Sequence, residues 1–268
     1  MHKLRQNLAH LYMAAFLIYL LIPLAVMAGA AFNDSRLPSI VPWKGTTGRW
    51  FVELAADERM WVAFRNTIIV ALAVAVLAVI VGTAAAILIN SISGRMRSVI
   101  YGLMISTILI PGAVIGISTL LMWNKLGVPP GLHLSVLGQV SYIAAMVMLL
   151  VLARLQSFDA ALEEAALDLG ASHAQVMRRI LLPHLYPAIG AGAAVAFFQS
   201  IENFNVTQFT RGGADTLTVY VFSKVRAGIT PTINALAVIM IGITIVAAIL
   251  YEIRRRRIER LMARGVEE

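Results

Sequence analysis

Six long apolar runs, separated by polar segments, organise the chain. They cover residues 11–32, 66–92, 99–123, 134–153, 188–209 and 233–251. Each can cross a hydrocarbon core as a helix of about 20 residues. None alternates with period 2, so no β-barrel is expected. Helices also satisfy their own backbone hydrogen bonds, which hydrocarbon cannot do for them. The pattern predicts an all-α integral membrane protein with six transmembrane helices in a single transmembrane domain over 1–268. The first run follows Lys3 and Arg5, and Ala28 with Ala30 resembles a cleavage pattern. It exceeds the about 7–15 residues of a signal core and is read as an uncleaved span. Pro111-Gly112 should open the hydrogen-bond ladder of the third run. A kink beside a pathway and a packing kink both remain open. The fifth run reaches Phe209 only if Glu202 is held inside it.

The polar segments set the orientation. Short loops and ends on one side carry Lys3, Arg5, Arg95, Arg97, Arg154, Arg178, Arg179 and the Arg254–Arg257 cluster. The positive-inside rule puts that side, and both termini, in the cytoplasm. Residues 33–65 should lie outside. Their part from Arg49 to Phe64 carries Trp50, Phe51, Leu54, Met60, Trp61 and Phe64, which suggests one short interfacial helix. Residues 208–232, with a turn at Arg211-Gly212-Gly213, should also lie outside, and residues 155–187 inside. Trp123 and Tyr142 fall near outer ends and read as interface anchors.

Composition narrows the classes. Of 268 residues, 59% are hydrophobic and 13% charged, with a mean hydropathy of +0.81. Soluble chains average nearer a quarter charged, so a soluble enzyme is excluded. The net charge of +8 is read as arginines flanking spans at an anionic lipid surface, not as nucleic-acid binding. The absence of cysteine excludes disulfides, zinc–thiolate sites and a cysteine nucleophile. His133, His173 and His184 are scattered and build no metal site. No G-x-x-x-x-G-K-[ST] occurs, so this chain should not hydrolyse ATP. No catalytic residue and no resident cofactor are assigned. A membrane protease lacks its motifs, and an ion-driven secondary transporter would be expected to carry more intramembrane carboxylates.

The inner loop is the informative one. It reads Glu163-Glu164-Ala165-Ala166-Leu167-Asp168-Leu169-Gly170-Ala171-Ser172, then His173 to Pro183. Two short helices should meet near Gly170, with acids in the first and Ser172 capping the second. Leu162, Ala165, Ala166 and Leu169 form one apolar stripe; Met177, Ile180 and Leu181 form another. Pro183 and Pro187 should end the element before the fifth span. The stripes could pack on the protein's own helices or fill a groove on a partner.

Glu164-Ala165-Ala166, Gly170 and Ile180-x-Leu182-Pro183 resemble, at matching spacings, the EAA loop of ABC importer permeases. Ala31-Phe32-Asn33-Asp34-Ser35, Asn66-Thr67 and Pro231-Thr232-Ile233-Asn234-Ala235-Leu236-Ala237 are similar to the spermidine/putrescine permease branch. The resemblance implies a type I importer (MetI-like) fold in the bacterial inner membrane. It implies a second homologous permease as heterodimer partner, a periplasmic substrate-binding protein, and two ATPase subunits holding ATP and Mg. It further implies that Glu164, Ala165, Ala166, Asp168, Leu169, Gly170, Ala171 and Ser172 couple this chain to the ATPase. Gly170 would permit the bend, and the alanines are small enough for close docking. Glu164 could pair with a basic partner residue or be a solvated charge.

Glu202 is the one acid deep in a run, and a charge at a bilayer centre costs about 2.5–3.5 kcal/mol on insertion scales. Gln199, Glu202 and Asn203 would share a helix face, with Asn205 off it. With Pro111 they are the candidate pathway residues for a small polar or cationic solute. Alternatively the span ends near Ile201, or Glu202 makes a structural bond across a dimer. In the resembled branch acids are often found here; relatives of similar build carry opines, amino-acid-like compounds or phosphonates.

Overall fold

The computed structural model describes residues 2–228 and 230–264. Its helices are α1 His2–Phe32, α2 Arg49–Ala55, α3 Glu58–Ser91, α4 Gly94–Leu109, α5 Gly112–Lys125, α6 Leu132–Leu155, α7 Ala160–Asp168, α8 His173–Val176, α9 Leu182–Ile201, α10 Thr207–Thr210, α11 Leu217–Ala227 and α12 Pro231–Arg264. Among the described residues β-pairing is limited to an isolated bridge between Asn33 and Thr46. Among the described residues, five helices are long and apolar enough to cross a membrane, and the bent pair α4–α5 makes a sixth if taken as one span. The chain divides into two compact units, residues 1–58 with 221–268 and residues 59–220.

In the first unit, α12 packs against α1 and α2. The connection after α1 is ordered by one buried side chain. Asn33 Nδ2 donates to the Ser39 and Pro42 carbonyls at 2.8 and 3.0 Å, and its Oδ1 accepts from Lys44 N at 2.8 Å. Trp50 Nε1 donates to the Asn33 carbonyl at 2.9 Å, tying α2 to the same point. A buried backbone needs such partners, and a short irregular loop finds them in an amide side chain. The expected single helix from Arg49 to Phe64 is instead two. α2 stops at Ala55, and Met60, Trp61 and Phe64 open α3.

The core of the second unit lies among α3, α6 and α9, with Val74, Ala78, Ile143, Val147, Met148, Val151, Leu185 and Ala196 buried. Hydrocarbon gives little hydrophobic drive for helices to associate, so packing depends on close approach over small residues. At Gly82 the approach is extreme: an added Cβ would lie 2.5 Å from the Ala144 carbonyl oxygen and 2.9 Å from Met148 N. α3 and α6 therefore cross almost backbone to backbone.

The third and fifth runs depart from simple spans. The third breaks at Ile110-Pro111, and α4 and α5 meet at 106°. Ile110 and Pro111 are both extended, with ψ 129 and 132. Proline forbids the ladder bond and pushes its predecessor out of the helical region, so the expected kink becomes a corner. The fifth run does not reach Phe209. Its helix ends at Ile201, with Glu202 as the capping residue. At its other end the helix is continuous from His173 to Ile201. Pro183 and Pro187 lie within it and do not end an element. A π-helical turn over Met177–Leu181, in which Leu182 N–H reaches back to the Met177 carbonyl, carries the chain into α9.

Candidate functional site: the α6–α9 loop and the end of α9

The loop between α6 and α9 forms a doubly capped corner. Asp159 caps α7, its carboxylate accepting from Ala161 N at 3.0 Å. α7 ends in a Schellman arrangement: Ala171 N–H donates to the Ala166 carbonyl at 3.0 Å and Gly170 N–H to that of Leu167 at 2.9 Å. This closure needs a left-handed residue, and Gly170 supplies it with φ +83. Immediately afterwards Ser172 and Gln175 form a reciprocal capping box. Gln175 N donates to Ser172 Oγ at 3.3 Å, and Ser172 N to Gln175 Oε1 at 2.7 Å. Asp159 and Gln175 were not anticipated. The Ser-x-x-Gln spacing is itself a readable signal for the second.

The corner leaves its apolar stripe uncovered within the chain. Leu169 is 89% exposed and Leu162 54% exposed. Glu164, Ala165, Asp168 and Ser172 are exposed, while Ala166 and Ala171 are half-buried. Nothing stands within 4 Å of a Cβ built on Gly170. The second stripe differs, for Met177, Ile180 and Leu181 are all half-buried. Arg154 reaches across to the root of α9, its Nε donating to the His184 carbonyl at 3.1 Å. Arg97, just past the α3–α4 link, lines a cavity with Leu152 and Gln156 of the α6 end. The basic first turn of α4 and the α6 end therefore share one end of this unit.

At the other candidate site the expected helix face does not form, because α9 stops before it is complete. Glu202 is exposed and Gln199 half-buried. Asn203 turns inward and is 8% exposed. Its Nδ2 donates to the Tyr142 hydroxyl at 2.6 Å, and its Oδ1 accepts from Val206 N at 3.1 Å. Asn203 thus shapes the turn after α9, and the half-buried Tyr142 has its hydroxyl engaged by Asn203. Asn205, off the counted face, is the exposed polar neighbour. It lies against Gly112, where an added Cβ would stand 3.0 Å from Asn205 Cβ. The exposed corner at Pro111 is thereby brought beside the Glu202–Asn205 turn.

A buried polar network supports that turn. Gln139 is fully buried. Its Oε1 accepts from Ser200 Oγ at 2.6 Å and its Nε2 donates to Thr207 Oγ1 at 2.9 Å. Ser135 Oγ and Thr210 Oγ1 are 2.9 Å apart. Sequence reasoning missed this network, although Ser135, Gln139 and Tyr142 recur at i, i+4 and i+7 along a mostly apolar helix. Two glycines let the turn nestle in: a Cβ on Gly116 would meet the Val206 carbonyl oxygen at 2.9 Å, and one on Gly138 would meet Val206 Cγ1 at 2.7 Å. On its far side, Asn66 Nδ2 donates to the Asp215 carbonyl at 2.9 Å, and Thr67 Oγ1 accepts from Leu217 N at 2.7 Å.

Comparison with known proteins places this architecture. The chain is 36% identical over 233 residues to the putrescine transport system permease protein PotI of Escherichia coli (strain K12), covering 84% of this chain and 82% of that one. It is 30% identical over 251 residues to the spermidine/putrescine transport system permease protein PotC of Haemophilus influenzae, covering 93% and 97%. Among solved structures, a bacterial ABC transporter involved in the import of the acidic polysaccharide alginate aligns with a TM-score of 0.71 at 16% identity, over 93% of this chain and 96% of that one. That likeness shows the fold. Residues 78–264 match the family described as binding-protein-dependent transport system inner membrane component, and the chain belongs to that family.

Proposed function

We propose that this chain, an ABC importer permease subunit and a non-catalytic membrane component, forms half of a translocation path for a small polar or cationic, polyamine-like solute. A periplasmic binding protein delivers the solute to the bacterial inner membrane, and a second, homologous permease completes the path. Two ATPase subunits, which bind ATP and Mg, drive the exchange between inward- and outward-facing states. Both termini and the α6–α9 loop face the cytoplasm, in keeping with the basic residues that flank each of them in sequence.

The observation that carries the reading is the exposed Leu169 beside Gly170 on a corner held by caps at both ends. An apolar side chain in water at a rigid corner gains about 1.5–3 kcal/mol when a partner groove buries it. Rigidity matters because a load applied at the corner is passed into α9 and is not absorbed by the loop. Glu164, Ala165, Ala166, Asp168, Ala171 and Ser172 form the rest of the coupling surface. At the other end of α9, Glu202 with Gln199, Asn205 and the Pro111 corner offers an acidic, polar surface to a cation. The names of the polyamine permeases it resembles support that solute class, and Asn203 serves as its scaffold.

The test is reconstitution with the ATPase and partner permease, comparing wild type with Leu169→Asp. The exposed position leaves the fold intact, so the variant should insert normally. It should retain at least tenfold less ATPase on purification, and lose turnover stimulated by the loaded binding protein. Unchanged ATPase retention and unchanged stimulation would overturn the coupling reading.

A further inference from the structure

The second unit holds a cavity of about 330 Å³ between α4 and the carboxyl end of α6, lined by Ile89, Arg97, Ser98, Tyr101, Leu152 and Gln156. Its chemistry is one-sided. Arg97, Ser98, Tyr101 and Gln156 offer a guanidinium, two hydroxyls and a carboxamide, and no carboxylate lines the space. None of these side chains makes a hydrogen bond or ion pair within the described residues. Arg97 and Tyr101 stand at i and i+4 on α4, so both point to one face. Below them Ile89 and Leu152, 1% and 6% exposed, make an apolar floor.

The setting of the cavity selects its occupant. α4 buries no residue, and Met96, Val99 and Leu103 on it are 61%, 49% and 65% exposed. In a membrane-spanning chain such a surface is covered by acyl chains or by a neighbouring span. A notch of donors that opens beside it, at the basic end of the unit, matches a group that is anionic at one end and hydrocarbon at the other. A guanidinium fork fits two phosphate oxygens, with hydroxyl donors to complete the shell. A free phosphate shares that chemistry but gains nothing from Ile89, Leu152 or the α4 face. A zwitterionic headgroup brings an ammonium for which the lining offers no carboxylate. We infer that this notch binds the phosphate of an anionic phospholipid, with its acyl chains laid along α4. Basic pockets between spans are suited to such headgroups. The inference rests on the membrane-spanning fold and is independent of the coupling and solute readings.

Native mass spectrometry of the full chain in mild detergent, titrated with phosphatidylglycerol, phosphatidylcholine or inorganic phosphate, tests it. One phosphatidylglycerol should be retained in preference to phosphatidylcholine, and millimolar phosphate should not displace it. Arg97→Gln should weaken retention roughly fivefold, the effect of one basic residue beside an anionic lipid. Arg95→Gln, in the same first turn of α4 but outside the lining, should leave it unchanged. A photoreactive phosphatidylglycerol on wild-type protein should label the peptide containing residues 97–101, a readout that needs no variant. Equal loss in both variants, displacement by phosphate, equal retention of phosphatidylcholine, or labelling confined to other segments would each overturn the assignment.

Discussion

Adding one carbon at Gly116 probes the cradle beneath Glu202. A Cβ there would lie 2.9 Å from the Val206 carbonyl oxygen and 3.1 Å from Val206 Cα. Both are backbone atoms, so relief requires the 205–206 segment to move. At Gly138 the new Cβ would instead meet Val206 Cγ1 at 2.7 Å, an atom that substitution can remove. Overpacking costs about 1–3 kcal/mol. Replacing a helical glycine by alanine returns about 1 kcal/mol. Crowding wins, so Gly116→Ala and Gly138→Ala should each destabilise by on the order of 1 kcal/mol. Gly102, with nothing within 4 Å of an added Cβ, isolates the propensity term. Gly102→Ala should be neutral or stabilising by up to about 1 kcal/mol. Val206→Ala deletes Cγ1 and keeps the carbonyl. It should rescue Gly138→Ala, with a coupling of about 1 kcal/mol, and add to Gly116→Ala without rescue. The assay is denaturant unfolding of the purified chain followed by tryptophan fluorescence. Solute uptake into reconstituted vesicles would show whether displacing the turn also disables transport. Equal rescue of both glycine variants, or a Gly116→Ala as stable as wild type, would refute the reasoning.

Gln139→Leu keeps the volume and removes both bonds, leaving Ser200 and Thr207 without this partner; unfolding should show a loss of about 1–2 kcal/mol, with partial recovery when Ser200→Ala and Thr207→Val are added. Glu202→Gln should leave the unfolding midpoint unchanged, because the exposed carboxylate makes no side-chain hydrogen bond within the described residues. Uptake measured with a dicationic solute and an uncharged analogue should show KM rising for the dication alone. An equal change for both solutes would remove Glu202 from solute recognition.

The apolar runs carry the helical membrane architecture because span length and backbone satisfaction leave few alternatives. The loop between α6 and α9 was legible for a similar reason. Gly170 and Ser172 are conformational specialists, and their positions fixed a bend before any contact was known. The end of α9 was not legible in detail. Counting Gln199, Glu202 and Asn203 onto one face assumes that the helix continues, and a cap at Glu202 redirects everything after it. Asn203 then finds Tyr142, sixty-one positions away in sequence, a pairing that no local spacing encodes. Pro111 announced a break but not its angle, because the 106° corner depends on how α5 packs against α6 and α10. The polar side chains of α6 were visible but had no partners in sight, and their meaning came only with Ser200, Thr207 and Thr210 in place.

The loop after α1 has a consequence for how the chain is made. The groups hydrogen-bonded to Asn33, from Ser39, Ile40, Pro42, Lys44 and Trp50, all follow it within 17 positions. That knot can tie itself once the first fifty residues have left the ribosome, before α12 exists to lie alongside. A nascent chain would thus own one finished landmark early, against which its last helix later finds its place.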